Sequence, residues 1–124
     1  VGDGTQKRDF VFVSDVARAF FAACEAASTG RVWNVGAGDP QTVNRLVDLL
    51  GGEAIHIPKR PGEPDCTHAD IGRIKQELDW RPLVSFEEGV AHVIADIEYW
   101  RDAPLWDPGS IAKATETWFH YLKR

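Results

Sequence analysis

The sequence predicts an α/β (or α+β) domain, with a small, few-stranded sheet and several helices. Runs rich in Phe, Val and Ile alternate with helically patterned segments over the first half of the chain. The second half carries helical patterns alone. Turns bearing Gly and Pro separate the segments, and neither an internal repeat nor a low-complexity stretch interrupts them.

In chain order, "RDFVFV" (Arg8 to Val13) reads as a strand from its aromatic and β-branched residues. Ser14 offers an N-cap and Asp15 a first-turn acid for the next helix. That helix carries Val16, Phe20, Ala23, Cys24 and Ala27 on one face and ends at Gly30. "RVWNV" (Arg31 to Val35) reads as a second strand, closed by the turn "GAGDP". Thr42 caps a helix whose buried stripe is Val43, Leu46, Val47 and Leu50, stopped by Gly51 and Gly52. Glu53 to Ile57 reads as a third strand. Asp70 caps a short helix with Ile71, Ile74 and Leu78 inward, broken at "DWRP". Ser85 and Glu88 have the spacing of a capping box, opening a helix that buries Phe86, Val90, Val93, Ile97 and Trp100. Asp107 and Pro108 open a last helix to about Leu122, with Ile111, Thr115, Trp118 and Leu122 on one face. Leu46, Ile74, Val93 and Trp118 are the expected core anchors.

The 124 residues suffice for one domain with a modest core, and 44% hydrophobic with 27% charged residues is an ordinary globular balance. No apolar run nears the ~18 residues of a membrane span, and the first residues do not form a signal peptide. A membrane partner is therefore not expected. A net charge of −5 without a basic stripe weighs against nucleic acid. Cys24 and Cys66 show neither metal spacing nor a disulfide framework, which points to a reduced, cytoplasmic setting. His56, His68, His92 and His120 also lack ligand spacing, so no metal is expected. "GDG" and "GAG" lack the strand–GxGxxG–helix context of a dinucleotide loop and read as turns. The five tryptophans are too scattered for a base-stacking platform, and no nucleophile-elbow pattern supports hydrolase chemistry. An anionic ligand would have to be held by a few placed arginines.

The stretch "KRPGEPD" (Lys59 to Asp65) offers such a placement. Guanidinium presents a planar fork that matches phosphate oxygens and stays charged at any working pH. Pro61 and Gly62 fix a turn behind Arg60, and Glu63 can accept from a ligand hydroxyl or orient the arginine. The plainer alternative is a solvated turn in which Arg60 pairs with Glu63 or Asp65. Arg8, beside Asp9 at a strand entrance, is by itself an ordinary rim residue. Together the two sites would converge on one mouth of the sheet, where ligands of α/β folds collect.

Three stretches in order carry a resemblance: "GDGTQKRDFVFVSDVARA", "WNVGAGDPQTVNRLVDLL" and "KRPGEPDCTHADIGRIKQELDWRPLVSFEEGV". They resemble the C-terminal, substrate-binding half of an extended short-chain dehydrogenase/reductase. This is the NAD-dependent epimerase/dehydratase family, whose members act on nucleotide sugars. The resemblance covers about Gly2 to Ile97. It implies a substrate-binding lobe over residues 1–98; residues 99–124 fall outside the common pattern and read as a helical extension packed on that lobe.

The resemblance implies that Arg8 and Arg60 contact the nucleotide diphosphate and that Glu63 holds the nucleotide ribose. Asp15, Asn34 and Gly36 match positions read as structural. The family's Gly-rich NAD loop and its Tyr-x-x-x-Lys pair are not found, since neither Tyr99 nor Tyr121 has a lysine four residues on. With the abrupt opening at "VGDGTQKRDF", this leads us to expect the C-terminal part of a longer parent. NAD is then expected in that parent and not on this segment, with no catalytic residue here. The expected ligand is a nucleotide sugar, a UDP-sugar first among them, and the parent a homodimer formed through its other domain. The implied function is the nucleotide-sugar binding portion of a UDP-glucose 4-epimerase-like enzyme. The alternatives are a dehydratase, reductase or decarboxylase of the same family, and a binding or interaction module without catalysis.

Overall fold

The computed structural model describes residues 1–27 and 29–122, without the side chain of residue 122. Its elements are β1 (Lys7–Arg8), α1 (Val13–Glu25), β2 (Gln41–Thr42), α2 (Val43–Leu50), α3 (Gly72–Leu78), α4 (Phe86–Ala95), a 3₁₀ turn (Ile97–Trp100) and α5 (Pro108–Leu122). The class is the small α/β arrangement expected, but the sheet is much shorter.

The helices begin where their caps dictate. Thr42 Oγ1 accepts from the Arg45 N–H at 3.1 Å, and Gly51 closes α2 by donating to the Val47 carbonyl. The capping box of α4 is complete: Ser85 Oγ accepts from the Glu88 N–H, and the Glu88 carboxylate accepts from the Ser85 N–H. Asp107 Oδ1 accepts from the Ser110 N–H at 2.8 Å at the head of α5. Asp70 Oδ1 accepts from the Gly72 N–H at 2.9 Å, although the cap position of α3 falls on Ile71. Ser14, expected as the cap of α1, lies inside the helix. The cap is the extended Phe12, whose carbonyl accepts from Asp15 and Val16, and the helix ends at Glu25, short of Gly30.

The three expected strands are not formed as read. β1 pairs antiparallel with β2, Lys7 facing Thr42 and Arg8 facing Gln41. The segment around Cys66 joins β1 from its other side: Lys7 donates to the Asp65 carbonyl and Thr67 donates to the Lys7 carbonyl. Beyond Arg8, the run to Phe12 makes no ladder. Its rings pack instead on α4, Phe10 against Phe86 at 5.1 Å and Phe12 against His92 at 5.4 Å between centroids. Arg31 to Val35 and Glu53 to Ile57 also find no ladder partner among the described residues; the latter is clipped to Gly2 by the Gly2 N–H to the Ile57 carbonyl and by His56 Nδ1 against the Gly2 carbonyl. A strand-like composition becomes a strand only where a second backbone lies alongside.

The core is small. Ala19 of α1, Ile71, Ile74 of α3 and Trp80 are its buried members, with Trp33, Val35, Ala69 and Leu78 packed around them. Ile74 is 1% exposed, as expected of a core anchor. Leu46 is only half-buried, whereas Val93 is 46% and Trp118 40% exposed, so these three are not core anchors. On α4 the buried residues are Gly89 and Val90, while Ile97 and Trp100 stand out in the open 3₁₀ turn. Asp15 is the buried charge, 1% exposed. Its carboxylate accepts from the N–H groups of Leu83 and Val84 and from Arg18, and its carbonyl accepts from Trp80 Nε1. Those partners offset the cost of burying it and tie the "DWRP" turn to α1. No helix among the described residues is long and apolar enough to cross a membrane.

Candidate functional site

Arg8 and Glu63 meet at the junction where β1 runs beside the segment leading to Cys66, whereas the Arg60 side chain leaves the same turn toward Trp118. Arg60, Pro61, Gly62 and Glu63 form a tight turn closed by the Glu63 N–H to the Arg60 carbonyl at 3.3 Å. Proline at the second position and Gly62 at φ 75° in the third match a type II turn. Only a residue without Cβ takes that third position at no steric cost.

Arg8, the second residue of β1, reaches across to this turn. Its Nη2 donates to Glu63 Oε1 at 2.9 Å, and its Nη1 donates to the carbonyls of Pro64 (3.0 Å) and Lys7 (2.8 Å). The pair is largely shielded, with side-chain exposures of 24% and 18%. Glu63 Oε2 is buried and has no partner among the described residues. Lys59, just before the turn, pairs with Asp65. That hydrogen bond raises the Lys59 ammonium above the usual lysine range and keeps it charged. Thus the acids behind the turn are taken by Arg8 and Lys59. The pairing of Arg60 with Glu63 or Asp65, open from sequence, does not occur.

Arg60 makes no ion pair among the described residues. Its guanidinium carbon lies 5.4 Å from the ring centroid of Trp118 on α5, and its Nε is buried without a partner. Beside the turn, Gly2, Asp3, Thr5, Lys59, Glu63 and Asp65 help line a cleft of about 300 Å³. Asp3 is held below the usual aspartate range by the hydroxyl and then the N–H of Thr5. Arg60, without an ion-pair partner among the described residues, and Glu63, with a spare carboxylate oxygen, flank the same turn and are groups of the kind that recognise an anion bearing hydroxyls.

Two residues not expected at the site organise the surroundings. Asp9, next to Arg8, accepts from the N–H groups of Ala37, Gly38 and Ala69, locking the "GAG" turn onto β1. The approach is close: a Cβ on Gly36 would fall 2.5 Å from both Asp9 Oδ2 and the Ala69 Cβ. Trp118 is the other, reachable only through a long-range contact. Most amides of the two Gly-rich turns are spent internally. Those of Ala37 and Gly38 go to Asp9, Gly2 donates to Ile57 and Gly4 to Val1. A dinucleotide pyrophosphate needs such N–H groups free at a helix start, and these residues do not fit one.

Comparison with known proteins gives this geometry a setting. Residues 1–93 match the family model described as GDP-mannose 4,6 dehydratase. The chain is 34% identical over 99 residues to the UDP-glucose 4-epimerase of Mycolicibacterium smegmatis, covering 75% of this chain and 32% of that protein. Among solved structures it is similar to a UDP-glucose 4-epimerase with UDP-glucose from Thermotoga maritima. There the TM-score is 0.73 and the identity 36%, over 79% of this chain and 33% of the other. It is also similar to the UDP-glucuronic acid 4-epimerase of Bacillus cereus in complex with UDP-glucuronic acid and NAD. That match has a TM-score of 0.72 and 32% identity, over 79% and 34%. The chain thus spans about a third of the length of the relatives it matches. With the family model covering most of its length, the chain belongs to the NAD-dependent epimerase/dehydratase family of extended short-chain dehydrogenases/reductases.

Proposed function

We propose that this chain is the nucleotide-sugar binding lobe, over residues 1–98 with a helical extension over 99–124, of an NAD-dependent UDP-sugar 4-epimerase. Arg8 and Arg60 grip the diphosphate, and Glu63 accepts from the nucleotide ribose. The observation that carries this reading is the junction itself. Arg8 is already oriented by Glu63, while Glu63 Oε2 and Arg60 Nε are both buried and unpartnered among the described residues. Buried polar atoms without partners are rare in native proteins and call for an explanation, which in this reading is the bound substrate. A ribose hydroxyl suits the first and a phosphate oxygen the second.

The positions of NAD and of the proton-transferring tyrosine and lysine belong, in this reading, to the remainder of a longer parent, which also forms the homodimer. The two solved epimerases with UDP-sugars support the substrate class. The dehydratase description of the matching family keeps a second reaction in view. Incubating the intact protein with NAD and UDP-glucose, UDP-glucuronate, GDP-mannose or dTDP-glucose decides between them. An epimerase converts a UDP-sugar into a product of identical mass; a dehydratase yields one lighter by a water. No product from any of the four contradicts the enzymatic reading and favours a binding module.

A further inference from the structure

Helix α5 lies beyond residues 1–93, the part matched by the family model, yet it touches the proposed clamp. Ile111, Thr115 and Phe119 of α5 face Ile57, Pro58 and Arg60 across a cleft of about 240 Å³. Two contacts go further than apolar packing. Trp118 Nε1 donates to the Pro61 carbonyl at 3.1 Å, gripping the backbone of the turn. The Trp118 ring carries the Arg60 guanidinium on its face at 5.4 Å.

A guanidinium with no carboxylate partner and a buried, unpartnered Nε has many rotamers open to it unless something holds it. An aromatic face holds it without occupying its N–H groups: the ring attracts the cation through its quadrupole and leaves the planar fork free for phosphate oxygens. We propose that Trp118 is a positioning residue for substrate binding, pre-setting Arg60 through its ring and the Arg60–Glu63 turn through its N–H. The C-terminal extension would then be part of the nucleotide-diphosphate site and not a passive appendage. This rests on the clamp proposed above.

A double-mutant cycle read by calorimetric UDP binding to the intact protein tests it, with circular dichroism confirming that each variant is folded. Trp118→Leu keeps apolar bulk without a π face or an N–H, and should weaken UDP binding by about 5- to 20-fold. Trp118→Phe keeps the face and loses only the N–H, so its loss should be smaller. In an Arg60→Ala background, Trp118→Leu should weaken UDP binding by no more than Trp118→Phe does in the wild type, since only the N–H contact to the turn remains to be lost. A Trp118→Leu protein with unchanged affinity, or one whose loss is equal in both backgrounds, overturns this inference while leaving the clamp in place. If Arg60→Ala alone leaves UDP affinity unchanged, the clamp fails and the inference falls with it.

Discussion

Arg60 and Glu63 were legible as candidates because they flank turn-forming residues, and Arg8 through its place at a strand entrance and the family resemblance, but their partners were not. Arg8 meets Glu63 across 55 positions of sequence, and Trp118 meets Pro61 across 57. Side-chain spacing along one segment carries no information about such contacts. The same limit explains the core. Ile74 is sealed by Ala19, Ile71 and Trp80, whereas Leu46 borders an open apolar cleft of about 330 Å³ between α2, α4 and Phe10 to Phe12. Both look alike in a helical stripe. Ile74→Ala should therefore cost about 2–5 kcal/mol through lost transfer energy and a cavity. Leu46→Ala should cost only about 1–2 kcal/mol, because water already reaches part of its side chain. Urea denaturation of both variants measures this, and equal losses would contradict the burial pattern.

Helices were the readable elements and strands the unreadable ones, for a physical reason. A cap is a contract between residues three apart, as in Ser85 and Glu88 or Asp107 and Ser110, and the sequence displays both parties. A ladder needs a distant backbone, so "RDFVFV" kept a strand's composition while only Lys7 and Arg8 found a partner. The cap of α4 makes a pH-dependent prediction. Glu88 is held below the usual glutamate range, chiefly by the Ser85 N–H and then by its hydroxyl. Because the folded value is depressed, the stabilisation is fully present above the unfolded value and is lost as pH falls through the folded one. Glu87, lowered by its own backbone N–H and by Arg45, and Asp107, lowered by Ser110, act in the same direction. Thermal melts should show Glu88→Gln less stable than the wild type at neutral pH, with the gap closing in acid. Ser85→Ala should cost about 1 kcal/mol at neutral pH as an ordinary cap loss. A gap between wild type and Glu88→Gln that stays constant from neutral pH into strong acid would contradict the carboxylate's role.

On the scale of the molecule, the chain combines a small core with much uncovered apolar surface. Phe20, Phe21 and Val32 are 70%, 73% and 74% exposed, and Phe20 and Trp33 line an open cleft of about 730 Å³ against α1. Exposed apolar surface of this kind marks a face built to be covered. In our reading the remainder of the parent covers it, bringing NAD against a substrate that Arg8, Arg60 and Glu63 already hold. That clamp is the central claim, and calorimetric titration of UDP into the intact protein tests it most directly. Arg8→Ala and Arg60→Ala should each weaken binding by about 10- to 150-fold, the worth of a charge-assisted hydrogen bond. Arg60→Lys should lose affinity too, because an ammonium cannot reproduce the fork. UDP affinity unchanged in either alanine variant would contradict the account.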